Sequence, residues 1–164
     1  MERIWAPWRE EYVTAGGKGG RKRKACVLCR TLKDADRPGS LVVHVGPLAF
    51  VMMNRFPYNA GHVMVAPRRH VGSLAAASEG ELSEMMALAR RLESVMAKAY
   101  KPDGINVGMN LGKSAGAGIA DHIHLHVLPR WTGDTNFMTV VGETRVIPED
   151  PGKAGARLRS LLAR

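Results

Sequence analysis

Aromatic residues make up only 5% of this 164-residue chain, and cysteine occurs just twice. Two cysteines cannot build the disulfide framework of a small secreted domain, so a reducing cytoplasm is the expected setting. No apolar run approaches the length of a bilayer span, which argues against a membrane-crossing helix. The start, Met1-Glu2-Arg3-Ile4-Trp5, lacks the basic-then-apolar pattern of a secretory signal. Acidic residues are in deficit as well: 15 against 24 Lys and Arg, a formal charge of +9. That surplus attracts polyanions, nucleic acid and nucleoside polyphosphates alike. A nucleic-acid-binding module is one reading of the charge. Few aromatics interleave with the basic residues, however, so nucleic acid is not the expected partner.

What is present suits one compact domain: a hydrophobic fraction of 45% and no visible repeat. Residues 1–25 carry an aromatic segment, Trp5-Ala6-Pro7-Trp8-Arg9, and then a glycine-rich basic run at 18–24, read as a solvated loop. Apolar runs at 41–45 and 48–54 are split by Gly46-Pro47, the punctuation of a hairpin. A further strand is expected at 62–66, opened by Gly61 and stopped by Pro67. Residues 78–100 read as the main helix: Ser78 and Glu81 form a capping-box pattern, and Leu82, Met85, Met86, Ala89, Leu92, Met96 and Ala99 recur at helical spacing. Strands are expected at 105–109 and 123–128, joined by a glycine-rich stretch, and again at 138–141 and 144–147 before a basic tail helix. This order predicts an α+β fold, an antiparallel sheet with one main helix.

Three of the six histidines fall at 122, 124 and 126. Alternate residues of a strand share a face, so the three rings point one way while Ile123, Leu125 and Val127 point into the core. Histidine is the neutral-pH nucleophile, base and metal ligand. A neutral imidazole attacks phosphorus well, and the phosphoramidate formed is cleaved again, which divides one difficult step into two. The cluster therefore suits nucleotidyl or phosphoryl transfer.

The segment Asp121-His122-Ile123-His124-Leu125-His126-Val127-Leu128-Pro129-Arg130 resembles the signature of the histidine-triad superfamily. The stretch from Met53-Asn54-Arg55 to Val65-Ala66-Pro67 is similar to that family's nucleotide-binding strand pair. Trp5-Ala6-Pro7-Trp8-Arg9 and the stretch from Trp131 to Met138 look like bacterial members described as diadenosine tetraphosphate phosphorylases or hydrolases. The resemblance implies that His124 is the nucleophile and that His126 lies near the α-phosphate and leaving group. It places Asn54 at the ribose, His62 near the base and Asn110 beside the scissile phosphate. Many members carry a phosphate-contacting Gln or Ser shortly before the triad; here the stretch is Ala117-Gly118-Ile119. Ser114 and Lys113, with backbone N–H groups around Gly116 to Gly118, are the expected substitutes. The implied substrate is a dinucleoside polyphosphate, which a divalent cation can accompany, with phosphorolysis favoured over hydrolysis. A nucleoside phosphoramidase or general nucleotide hydrolase is the nearest alternative. The resemblance also implies a homodimer.

Cys26-Val27-Leu28-Cys29 has zinc-ligand spacing. Two unligated buried thiols are the other reading. Zinc requires two more ligands, and His70 and His122 are available. The resemblance completes that set, since zinc-bearing family members use two cysteines, a histidine after the Pro-terminated strand and the first triad histidine. A four-ligand site is structural, with no position open for chemistry. The expected division is a catalytic domain with the zinc site at 26–136 and a C-terminal extension at 137–164, a candidate dimer contact.

Overall fold

The structure, a computed structural model, describes residues 26–134 and 149–163. The tryptophan segment, the basic loop and the strands expected at 138–141 and 144–147 lie outside the described residues. The elements are α1 (Val27–Lys33), β1 (Val42–Val45), β2 (Ala49–Met53), β3 (Val63–Pro67), α2 (Glu79–Tyr100), β4 (Gly104–Met109), a 3₁₀ turn (Lys113–Ala115), β5 (Leu125–Arg130) and α3 (Pro151–Leu162). The strands form one antiparallel sheet in the order β1-β2-β3-β5-β4. The expected α+β architecture with an antiparallel sheet is what the chain adopts. The main helix is joined by two shorter ones.

Strand alternation divides the side chains between two layers. One face carries Val43, Val51, Met53, Val63, Val65, Leu125 and Val127, which pack with Met85, Leu92 and Met96 of α2 and Leu158 and Leu162 of α3. The opposite face carries Val42, Phe50, Met52, Met64 and Ala66, covered by Leu28 of α1. His126 pairs with Met64 and therefore emerges on this second face, away from α2.

Each helix end has a local cause. Ser78 accepts from the Glu81 backbone while the Glu81 carboxylate accepts from the Ser78 N–H, so the capping box forms as read. Arg69 adds a two-pronged bond to that carboxylate at 3.0 and 2.7 Å, tying the residue before His70 to the start of α2. At its other end α2 stops on Lys101, in the left-handed region at φ 47°, with Pro102 next. Asp150 caps α3, and Arg159 of that helix donates to the Ser40 and Val42 carbonyls. Part of the tail's positive charge thus docks α3 onto β1.

Two elements differ from the sequence reading. α1 was not expected: it is a seven-residue helix without a side-chain cap, too short to show a period. β5 begins at Leu125 rather than at 123. Its partner β3 ends at Pro67, and residues 122–124 bond elsewhere, with the Ile123 N–H donating to the Val71 carbonyl at 2.8 Å.

Candidate functional site

Hydrogen bonds fix the tautomers of four histidine rings. The His124 Nδ1 lies 2.9 Å from the His122 carbonyl. A carbonyl only accepts, so Nδ1 carries the proton and the neutral ring has a bare Nε2. The Tyr58 N–H donates to His62 Nδ1 at 3.0 Å, so the His62 proton is on Nε2. That Nε2–H in turn donates to His126 Nδ1 at 2.9 Å. The neutral His126 ring is left with an Nε2–H. His124 and His126 stand edge to face, ring centroids 4.9 Å apart. The pair is one imidazole with a bare nitrogen beside another that offers a proton donor. Burial, with the neighbouring His124, pushes His126 down to about 4, so it is neutral at physiological pH.

The loop between β2 and β3 supports this pair. The Asn54 amide lies 3.4 Å from His62 Nδ1, and its Oδ1 accepts from the Phe56 N–H at 3.0 Å. The Tyr58 ring packs 4.7 Å from His62 and 5.7 Å from His126, centroid to centroid. Asn59 donates to the Pro129 carbonyl at 3.3 Å and to the Asp134 carboxylate at 2.7 Å. Asp134 is itself gripped by Arg130 through two contacts, at 2.5 and 2.7 Å. Tyr58, Asn59 and Asp134 had no role in the sequence reading. Their partners are 4 to 75 residues away, and only the folded chain brings them together.

Asn110 follows the last residue of β4. Met109 pairs with Leu125, the residue that follows His124, so Asn110 leaves β4 at the end of the sheet where the triad enters it. Ser114 sits exposed on the 3₁₀ turn, which is flanked by Gly112 at φ 83° and Gly116 at φ 92°. A Cβ on Gly116 would stand 3.7 Å from the Asn110 amide, so the glycine turn folds back over Asn110. Gly118 is exposed just beyond it.

Next to these histidines lies the second cluster. One ligand atom from each of Cys26, Cys29, His70 and His122 can be chosen so that all lie within 4.8 Å of one another. The His122 Nε2–H donates to the Pro67 carbonyl at 2.8 Å, which leaves Nδ1 bare and aimed at the sulfurs of Cys26 (3.4 Å) and Cys29 (3.5 Å). His70 Nδ1 is 3.5 Å from the Cys29 sulfur. Tetrahedral zinc with ligand distances of about 2.0–2.3 Å requires ligand atoms about 3.3–3.8 Å apart, close to these separations. The donor set therefore fits zinc, and burial keeps His122 below the usual imidazole range, as a ligand must be. His122 serves both clusters, one through its ring and the other through its carbonyl.

The comparisons with known proteins agree with this geometry. The HIT domain family matches residues 38–133. An AP-4-A phosphorylase from Mycobacterium tuberculosis is 37% identical, over 91% of this chain and 78% of its own. A bis(5'-nucleosyl)-tetraphosphatase [asymmetrical] from Schizosaccharomyces pombe is 31% identical, over 58% of this chain and 52% of its own. A crystal structure of a zinc-bound histidine triad family protein from Mycobacterium smegmatis superposes with a TM-score of 0.68 at 29% identity, covering 85% of this chain and 94% of that one. With its triad, its sheet and these relatives, the chain belongs to the histidine-triad (HIT) family.

Proposed function

We propose that this protein is a nucleotidyl-transfer enzyme that cleaves dinucleoside polyphosphates of the diadenosine tetraphosphate kind. The observation that carries the reading is the bond from His124 Nδ1 to the His122 carbonyl, because it leaves His124 Nε2 as the bare nitrogen beside the His126 donor. Nε2 attacks the α-phosphorus, a P–N bond forms, and the P–O bond to the departing nucleoside polyphosphate breaks. The His126 Nε2–H bonds a phosphate oxygen as its charge grows, and His62 keeps that proton in place. His62 is thus a positioning residue: its ring is sealed between Tyr58 and His126. Asn54 meets the ribose, Asn110 the α-phosphate, and Ser114 with the Gly118 backbone the remaining phosphates.

In the second half, phosphate or water releases the nucleotide from His124. Phosphate is the favoured nucleophile, supported by the phosphorylase among the relatives and by the stretch Ala117-Gly118-Ile119, which offers no Gln or Ser to contact phosphate. A divalent cation with the polyphosphate would offset its charge. Zinc held by Cys26, Cys29, His70 and His122 would supply a cross-link that steadies the His122 carbonyl, without entering the reaction. The phosphoramidase alternative uses the same nucleophile and differs only in its leaving group. A homodimer remains part of the proposal. β4 carries a ladder on one side only among the described residues, and Val107 and Met86 stand exposed. Among the described residues no helix is long and apolar enough to cross a membrane.

Product analysis tests the reading. Diadenosine tetraphosphate with phosphate should yield ADP and ATP, and without phosphate AMP and ATP more slowly. His124→Ala should yield neither. Undiminished turnover by that variant would end the proposal.

A further inference from the structure

Phe56 is the most exposed large hydrophobic residue among those described, at 78%. A lone exposed apolar side chain is ordinary and decides nothing by itself. Its loop is what matters. The Phe56 N–H is held by Asn54, whose amide touches His62, and two residues on, the Tyr58 N–H is held by His62. Asn59 then anchors the loop to the end of β5 through Pro129 and Asp134. The loop is therefore fixed to the histidine layer while it presents two aromatic rings at the surface, Phe56 and the half-exposed Tyr58. A backbone held this way leaves only the two side-chain torsions of Phe56 to be ordered when something stacks on its ring.

The reaction geometry says what that partner would be. His124 is buried, only 3% exposed, so the nucleotide whose α-phosphorus reaches it is the inner of the two. In-line displacement drives the departing group away from Nε2, and with His124 buried that direction is outward. In a dinucleoside tetraphosphate that group carries a second nucleobase, brought to the rim by the phosphate chain. Arg55, exposed next to Phe56, can accompany the phosphates.

We propose that Phe56, flanked by Tyr58, is the stacking platform for the second nucleobase, the one on the departing nucleotide. This rests on the reading of His124 as nucleophile and explains how a dinucleotide would be preferred over a mononucleotide with the same phosphates.

The test compares diadenosine tetraphosphate with adenosine 5'-tetraphosphate, which keeps the phosphate chain and lacks the second nucleoside. The wild-type KM should be lower for the dinucleotide by about 5- to 100-fold, the range expected for stacking one base on an aromatic ring. Phe56→Ala should remove most of that preference by raising the dinucleotide KM, with the mononucleotide KM and both kcat values moving less than about twofold. Phe56→Trp should retain the preference. An unchanged KM ratio in Phe56→Ala would overturn the assignment, and so would an equal rise in both KM values, which would put the ring against the first base. Absence of wild-type turnover of both substrates would instead bring down the catalytic reading, and this one with it.

Discussion

Replacing His62 by leucine is the perturbation that probes the histidine relay most sharply. The His62 ring is fully buried and accepts from the Tyr58 N–H at 3.0 Å while donating to His126 Nδ1 at 2.9 Å. Leucine is close in volume and can do neither. One buried and one part-buried polar group lose this bond, His126 Nδ1 and the Tyr58 N–H. The buried nitrogen costs about 1–3 kcal/mol when left unsatisfied and the part-buried N–H less, so the fold should lose about 1–4 kcal/mol. A domain with about 5–15 kcal/mol in hand stays folded at 25 °C. Catalysis should suffer separately. Without the His62 donor the His126 proton can move to Nδ1, and the donor facing the phosphate is lost. A misplaced catalytic group costs up to about 100-fold, so kcat should fall about 10- to 100-fold with KM little changed. Denaturant unfolding and steady-state kinetics on diadenosine tetraphosphate read the two effects. His62→Gln, whose amide can donate to Nδ1, should recover part of the rate. A leucine variant with kcat within about twofold of wild type and unaltered stability would refute the relay.

Two other outcomes follow from the same geometry. Cys29→Ser should lower the zinc content measured by elemental analysis, and with it the unfolding temperature; a variant as zinc-rich and as stable as wild type would remove that site from the account. Acid should weaken the fold through His126. Its pKa is pushed down to about 4 in the folded state from the ordinary imidazole value of 6.5, so below pH 6.5 the unfolded chain takes up a proton that the folded one refuses. Stability should therefore fall between pH 6.5 and about 4 by about 1–3 kcal/mol more in wild type than in His126→Asn. Equal acid losses in the two proteins would contradict it; metal loss on acidification is common to both and cancels in the comparison.

How much of this was legible in the sequence depended on how local its causes are. The capping box of α2 lies within four residues, and Gly46-Pro47 marks the β1–β2 hairpin by itself. The spacings of Cys26 with Cys29 and of the three histidines pointed to two chemistries. Their joint was hidden: His122 turns its ring to the sulfurs and its carbonyl to His124 because the β3–β5 ladder ends at the Val65–Leu125 pair, before it reaches His122. The His62–His126 bond spans 64 residues, and the Asn59–Asp134 bond 75. No periodicity encodes such pairings. α1 escaped notice because seven residues without a side-chain cap carry no helical signature.

The central claim is that the bare Nε2 of His124 bonds to phosphorus. Protein mixed with diadenosine tetraphosphate in the absence of phosphate, quenched within a turnover and digested under mildly alkaline conditions, should show by mass spectrometry an added AMP on the peptide containing residue 124. Fragmentation should place it on His124, and the adduct should disappear when phosphate is added before the quench. Turnover with no adduct at any time, or an adduct on His122 or His126 instead, would contradict the account.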